Sequence, residues 1–211
     1  MSSSNENPIQ NGSVPSSRAD RLDAIVKMLE EKRSQSDKPM FVVAIDGRCG
    51  SGKTTLASLL VDRLDDCSIL HMDDFFLRPE DRTPVRLKTP GANVDYERIL
   101  DEVLLPLQKK EETIYCPFSC RTMTLQSARA LKRPRILLLE GTYSANAHLL
   151  PFVDFLLFLT CSKEEQKERL LKREGAEKYA NFEAKWIPLE ENYFENGLDT
   201  NAIDQIVDTS F

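Results

Sequence analysis

Apolar residues in this chain fall into short dense runs separated by segments of helical period. Met40–Asp46 (MFVVAID), Ser68–Met72 (SILHM), Arg135–Leu139 and Val153–Leu159 are nearly continuous hydrophobic stretches, as expected of strands buried on both faces. Ile203–Val207 reads as a fifth strand. Between them, Thr54–Leu64 brings Leu56, Leu59, Leu60 and Leu64 onto one helical face. Tyr96–Leu107 is amphipathic and should close at Pro106, and Ser162–Arg173 and Phe182–Phe194 complete the helices. Ahead of the first strand, Ser17 offers an N-cap to a helix reaching about Arg33, with Leu22, Ile25, Val26 and Leu29 on one side. Thr113–Tyr115 and Met123–Leu125 predict a small antiparallel excursion. The polar, Pro-rich stretch Arg78–Val94 is too long for a plain connection and is expected to be functional or mobile. Alternating strands and helices imply an α/β fold, a parallel sheet covered on both faces through right-handed crossovers. Ligands of such sheets bind beyond the carboxyl ends of the strands.

Composition refines this picture. Residues 1–17 (MSSSNENPIQNGSVPSS) carry almost no large apolar group and read as a disordered tail, leaving 18–211 as a single domain. With 41% hydrophobic residues the chain has material for a substantial core, and a net charge of -6 argues against nucleic acid as a partner. No run reaches the ~18 apolar residues of a membrane helix. The N-terminus lacks the basic and apolar pattern of a secretory signal. Five scattered cysteines without a CxxC pair suggest reduced thiols, so a cytoplasmic protein is expected.

The strongest chemical signal is Gly47-Arg48-Cys49-Gly50-Ser51-Gly52-Lys53-Thr54, which spells G-x-x-x-x-G-K-[ST] and is followed by Thr55. Glycines let the backbone curl so that successive N–H groups face a phosphate, and the next helix presents its positive end to the same anion. Lys53 would reach the β- and γ-phosphates of ATP, and the Thr54 hydroxyl would ligate Mg²⁺.

Acidic groups sit where the strands should end. Asp73 and Asp74 close the second strand, where one carboxylate could take the proton of an attacking hydroxyl or hold a metal-bound water. Glu140 ends the run ILLLE, a suitable place for a Mg²⁺ partner. Arg169 and Arg173 lie four apart on the helix after the fourth strand, able to fold over phosphates.

Taken together, GRCGSGKTT, HMDDFF, NVDYERIL, TIYCPFS, ILLLEGTYS and KERLLKRE resemble the uridine kinase-like family of P-loop kinases, which includes nicotinamide riboside kinases. The resemblance spans about Met40 to Val207. It implies a five-stranded parallel sheet between helices, a lid over about 162–181, and an ATP- and Mg²⁺-dependent kinase acting on a hydroxyl of a nucleoside-like acceptor. By the same resemblance Asp73 is the base, Thr54 and Glu140 are the magnesium partners, and Arg169 and Arg173 are phosphate contacts. Asp95 falls near the ribose-binding carboxylate and Tyr115 near the nucleobase. Where uridine kinases carry a base-reading His, this chain has Cys120, which predicts weak discrimination among bases. A homo-oligomer is compatible with this reading.

A P-loop ATPase or nucleotide-dependent switch would share the loop and the Mg²⁺ site but have no small-molecule acceptor. The two differ in whether nucleotide turnover rises with a small alcohol.

Overall fold

A computed structural model describes residues 17–210; the predicted tail, apart from Ser17, lies outside the described residues. Five parallel strands form the central sheet: β1 (Phe41–Gly47), β2 (Cys67–His71), β7 (Ile136–Glu140), β8 (Phe155–Thr160) and β9 (Gln205–Asp208). Their order is β2-β7-β1-β8-β9, so β1 sits at the centre. Its seven residues are all buried, which explains the unbroken apolar run.

The alternation hidden inside those runs becomes visible in the packing. Phe41, Val43 and Ile45, with Ile136 and Leu138, pack on one face against Ile25 and Leu29 of the helix Arg18–Ser34 and Ala57 and Leu60 of the helix Lys53–Val61. Val42, Leu137 and Leu139 face the other way, onto Val103, Leu107 and Tyr193. The first helix begins at the expected cap: the Ser17 hydroxyl accepts from the Asp20 amide while the Asp20 carboxylate accepts from the Ser17 amide.

Several expectations need correction. The helix after the loop ends at Val61, and Leu59 is 43% exposed. Pro106 does not close its helix: the helical path runs over 96–109, with a π-helical stretch at Ile99–Leu104 before the proline. Proline cannot bond the carbonyl four residues back, and that carbonyl, Glu102, accepts instead from the Thr113 hydroxyl at 2.5 Å. Thr113–Tyr115 and Met123–Leu125 do not pair with one another. β3 (Glu112–Tyr115) pairs with β6 (Arg129–Lys132), and β4 (Phe118–Ser119) with β5 (Thr124–Leu125). The 78–94 stretch is ordered by two short helical turns, Pro79–Asp81 and Pro84–Lys88, and by the Arg86 guanidinium, which donates to the carbonyls of Ala92 and Val94. The last long helix begins earlier than predicted and runs over 176–196.

Candidate active site

At the carboxyl end of β1, the chain turns through 47–52 into the helix Lys53–Val61. Gly47 has φ +133°, and a Cβ there would meet the Leu159 carbonyl oxygen of β8 at 2.0 Å, so only glycine fits. Gly52 caps the helix in the left-handed region, φ +92°. Lys53 is 8% exposed and its Nζ donates to the carbonyls of Gly47 (2.7 Å) and Arg48 (2.8 Å), holding the ammonium across the loop.

Sheet register then delivers the acids. His71 of β2 and Ile45 of β1 lie level with Glu140 of β7. The buried Glu140 carboxylate accepts from the Thr54 hydroxyl at 3.0 Å, and its second oxygen lies 2.7 Å from His71 Nδ1. That hydrogen bond to Glu140 raises the His71 pKa against the opposing effect of burial. His71 is therefore not a packed core imidazole but a partly exposed partner of Glu140 at the edge of the site.

Asp73 and Asp74 stand in a 3-10 turn, Met72–Phe75, directly after β2, where successive side chains diverge. Asp74 accepts from Arg129 Nη1 at 3.0 Å, whereas Asp73 lines the cleft beside Lys53, Glu140 and Arg173. The Asp73 carboxyl keeps an open side but is hemmed in by protein. Lost solvation raises its pKa first and the nearby Glu140 charge second, while Lys53 pulls it down.

Of the two arginines, Arg169 is built into the wall. It donates to the Thr209 hydroxyl (2.9 Å), the Thr209 carbonyl (2.6 Å) and the Gly50 carbonyl (3.3 Å). Among the described residues Arg173 hydrogen-bonds only its neighbour Glu174, and it passes 5.9 Å from the Phe182 ring at the cleft.

The acceptor candidates are less uniformly placed. Cys120 lines the cleft and an adjoining cavity of about 380 Å³ that also touches Asp73, Phe76, Phe118 and Arg129. Asp95 instead caps the helix at Tyr96 by accepting from the Arg98 amide at 3.1 Å. Tyr115 stacks on Phe75 with centroids 5.3 Å apart and is buried. Neither of these two lines the cleft or the adjoining cavity.

Two contributors, Asp46 and Glu190, went unrecognised in the sequence. Asp46, wholly buried, accepts from the amides of Gly47, Tyr143 and Ala145 and from the Tyr193 hydroxyl. Burial raises its pKa and these bonds oppose the rise. Glu190 reaches into the loop and accepts from the Cys49 amide at 3.0 Å. Burial and that neighbouring carboxylate push the Cys49 thiol up to about 12, which keeps it protonated. Trp186, with Phe76 at 5.9 Å between centroids, forms an aromatic wall. At the far end the main cleft, about 860 Å³, is walled by Arg18, Arg21 and Leu22 of the first helix and by Val207–Thr209.

No protein-family profile matches the chain. Rat nicotinamide riboside kinase 1 (Rattus norvegicus) is 32% identical over 135 residues, covering 61% of this chain and 64% of the relative. Human nicotinamide riboside kinase 2 (Homo sapiens) is 32% identical over 139 residues, covering 61% and 56%. The chain thus spans less than two thirds of these relatives. Among solved structures, a possible uridine kinase from Bacillus stearothermophilus superposes with TM-score 0.68 at 22% identity, covering 90% of this chain and 98% of that one. A candidate fructose transport system kinase from Silicibacter gives TM-score 0.71 at 20% identity, covering 88% and 98%. The expected fold, a five-stranded parallel sheet flanked by helices, is thereby shared with these kinase structures, and the sequence is similar to that of nicotinamide riboside kinases over 61% of the chain.

Proposed function

We propose that this chain is a uridine kinase-like phosphotransferase that moves the γ-phosphate of ATP to a hydroxyl of a nucleoside-like acceptor. The observation that carries this reading is convergence: Lys53, the Thr54–Glu140 pair and Asp73 meet in one cleft, with a second cavity opening at Asp73. A cavity of about 380 Å³ suits a small molecule, and a nucleotide switch has no need of one beside a carboxylate. The nicotinamide riboside kinases among its relatives point to a riboside as acceptor.

The loop amides and Lys53 hold the polyphosphate, and the Lys53 ammonium offsets charge that builds on the transferring group. Asp73 accepts the proton of the attacking hydroxyl, while Asp74 stays engaged by Arg129. Arg173, less tied than Arg169, is the one placed to close over the phosphates. Arg169 fixes Thr209 and so the far wall, where the donor base would lie. Trp186 and Phe76 offer faces for the acceptor's ring, and Cys120 adds one weak donor. Asp95 and Tyr115 shape this region from behind, as a helix cap and as support for Phe75.

Thr54 and Glu140 present hard oxygen atoms 3.0 Å apart, and among the described residues no all-protein metal cluster exists. This donor set fits Mg²⁺, which takes one or two protein oxygens and otherwise phosphates and water. When bound it would offset phosphate charge. Among the described residues no helix is long and apolar enough to cross a membrane, and the reading places the enzyme in the cytoplasm. The test is a coupled ADP-release assay against uridine, cytidine, adenosine and nicotinamide riboside. Release that rises with none of them, while ATP alone is hydrolysed, would favour the ATPase reading.

A further inference from the structure

Glu190 is 6% exposed, yet its carboxylate reaches the phosphate loop. Its Oε2 accepts from the Cys49 amide of the phosphate loop at 3.0 Å, and its Oε1 lies 3.3 Å from the Thr142 hydroxyl. That hydroxyl is shared with the Gly47 carbonyl, 2.9 Å away. Among the described residues no arginine or lysine pairs with Glu190 at salt-bridge distance. The carboxylate is held by neutral donors, with the Lys53 charge nearby. Its neighbours on the same helix hold the loop and the strand before it: Glu191 pairs with Arg48, and Tyr193 donates to Asp46 of β1.

We infer that Glu190 is a resident anion of the phosphate loop, one that lowers affinity for polyphosphate and ties its entry to release of the 187–196 helix. The inference rests on the reading that this loop binds nucleotide phosphates. A triphosphate entering the cradle competes for the Cys49 amide and meets a buried like charge within a few ångströms. Two like charges at that range in a partly dry site repel strongly enough to cost about tenfold or more in affinity. Burial raises the Glu190 pKa, while Lys53 and the Cys49 and Thr142 hydrogen bonds oppose the rise, so the repulsion acts where the carboxylate is ionised. The bare loop, meanwhile, keeps an inward-facing amide satisfied in the absence of ligand.

Glu190→Gln tests this, because the amide keeps the acceptor oxygen and the size while removing the charge. Trp186, the chain's single tryptophan, lies one helical turn before Glu190 and lines the same cleft, so its fluorescence reports titrations of ADP, inorganic triphosphate and adenosine. The expected result is binding of ADP and triphosphate about tenfold tighter or more than in wild type, with adenosine affinity unchanged. Glu190→Asp keeps the charge but withdraws it from the Cys49 amide, and serves if the glutamine variant folds poorly; its triphosphate affinity should fall between the other two. Equal or weaker triphosphate binding by both variants would overturn the inference alone. Failure of wild type and variants to bind any phosphate-bearing ligand would overturn it together with the nucleotide reading.

Discussion

The Tyr193 hydroxyl donates to Asp46 Oδ2 at 2.8 Å across 147 residues of sequence. Asp46 also accepts three backbone amides, so one buried carboxylate joins the end of β1, the 141–146 turn and the last long helix. A hydrogen bond to a charged group is worth ~1.5–3 kcal/mol. Tyr193→Phe should therefore lower Tm by several degrees, at about 2–4 °C per kcal/mol for a chain of this size. A thermal melt checks it. An unchanged Tm would show that the amides alone hold Asp46.

Lys53→Ala should leave the fold intact and reduce phosphoryl transfer ~10²-fold or more, since a preorganised charge facing the transition state is lost. Single-turnover kinetics with saturating ATP would measure this directly. Near wild-type turnover would detach Lys53 from the chemistry.

Asp73→Asn should cut turnover ~10²–10⁴-fold, the usual worth of a general base, with ATP affinity within a few-fold of wild type. Asp74→Asn should be the milder change, because its carboxylate is committed to Arg129. Loss of rate in the opposite ranking would move the base to Asp74.

A pH profile adds an independent check on Asp73. Lost solvation and the Glu140 charge raise its pKa, and the working form is ionised. Turnover should be full at higher pH and fall as pH drops through a pKa above the ordinary carboxylate range. An acid limb at an ordinary carboxylate pKa or below would contradict the environment described for it.

Arg169 and Arg173 should separate. Arg169→Ala removes the tie to Thr209 and should raise KM for ATP, whereas Arg173→Ala should mainly lower kcat. Identical effects of the two would mean that both act in the lid.

What was legible in the sequence is what is local. The apolar run of β1, the glycine pattern and Lys53-Thr54 lie within fifteen residues, and their geometry follows from backbone sterics and the N-terminal end of a helix. Glu140 could be placed because a strand tip needs only its own run to be recognised. Asp46 looked like the end of an apolar strand, since its partners come from 97, 99 and 147 residues away. Glu190 carried no local signal, because its meaning lies in the Cys49 amide 141 residues distant. Asp95 shows the converse: an Asp three residues before Arg98 is an N-cap by local rule, and the cap is where the structure places one of its oxygens. Pro106 was read as a helix end because its missing N–H was visible while the Thr113 hydroxyl that satisfies Glu102 was not.

The central claim is that Asp73 and the phosphate loop together phosphorylate a riboside. ADP release by wild type and Asp73→Asn, each with ATP and Mg²⁺ and with or without nicotinamide riboside, tests it most directly. The account predicts release that depends on the riboside in wild type, yields a phosphorylated riboside in equal amount, and is nearly abolished in the variant. Riboside-dependent release that survives in Asp73→Asn, or release indifferent to nicotinamide riboside and to every other riboside tried, would contradict it.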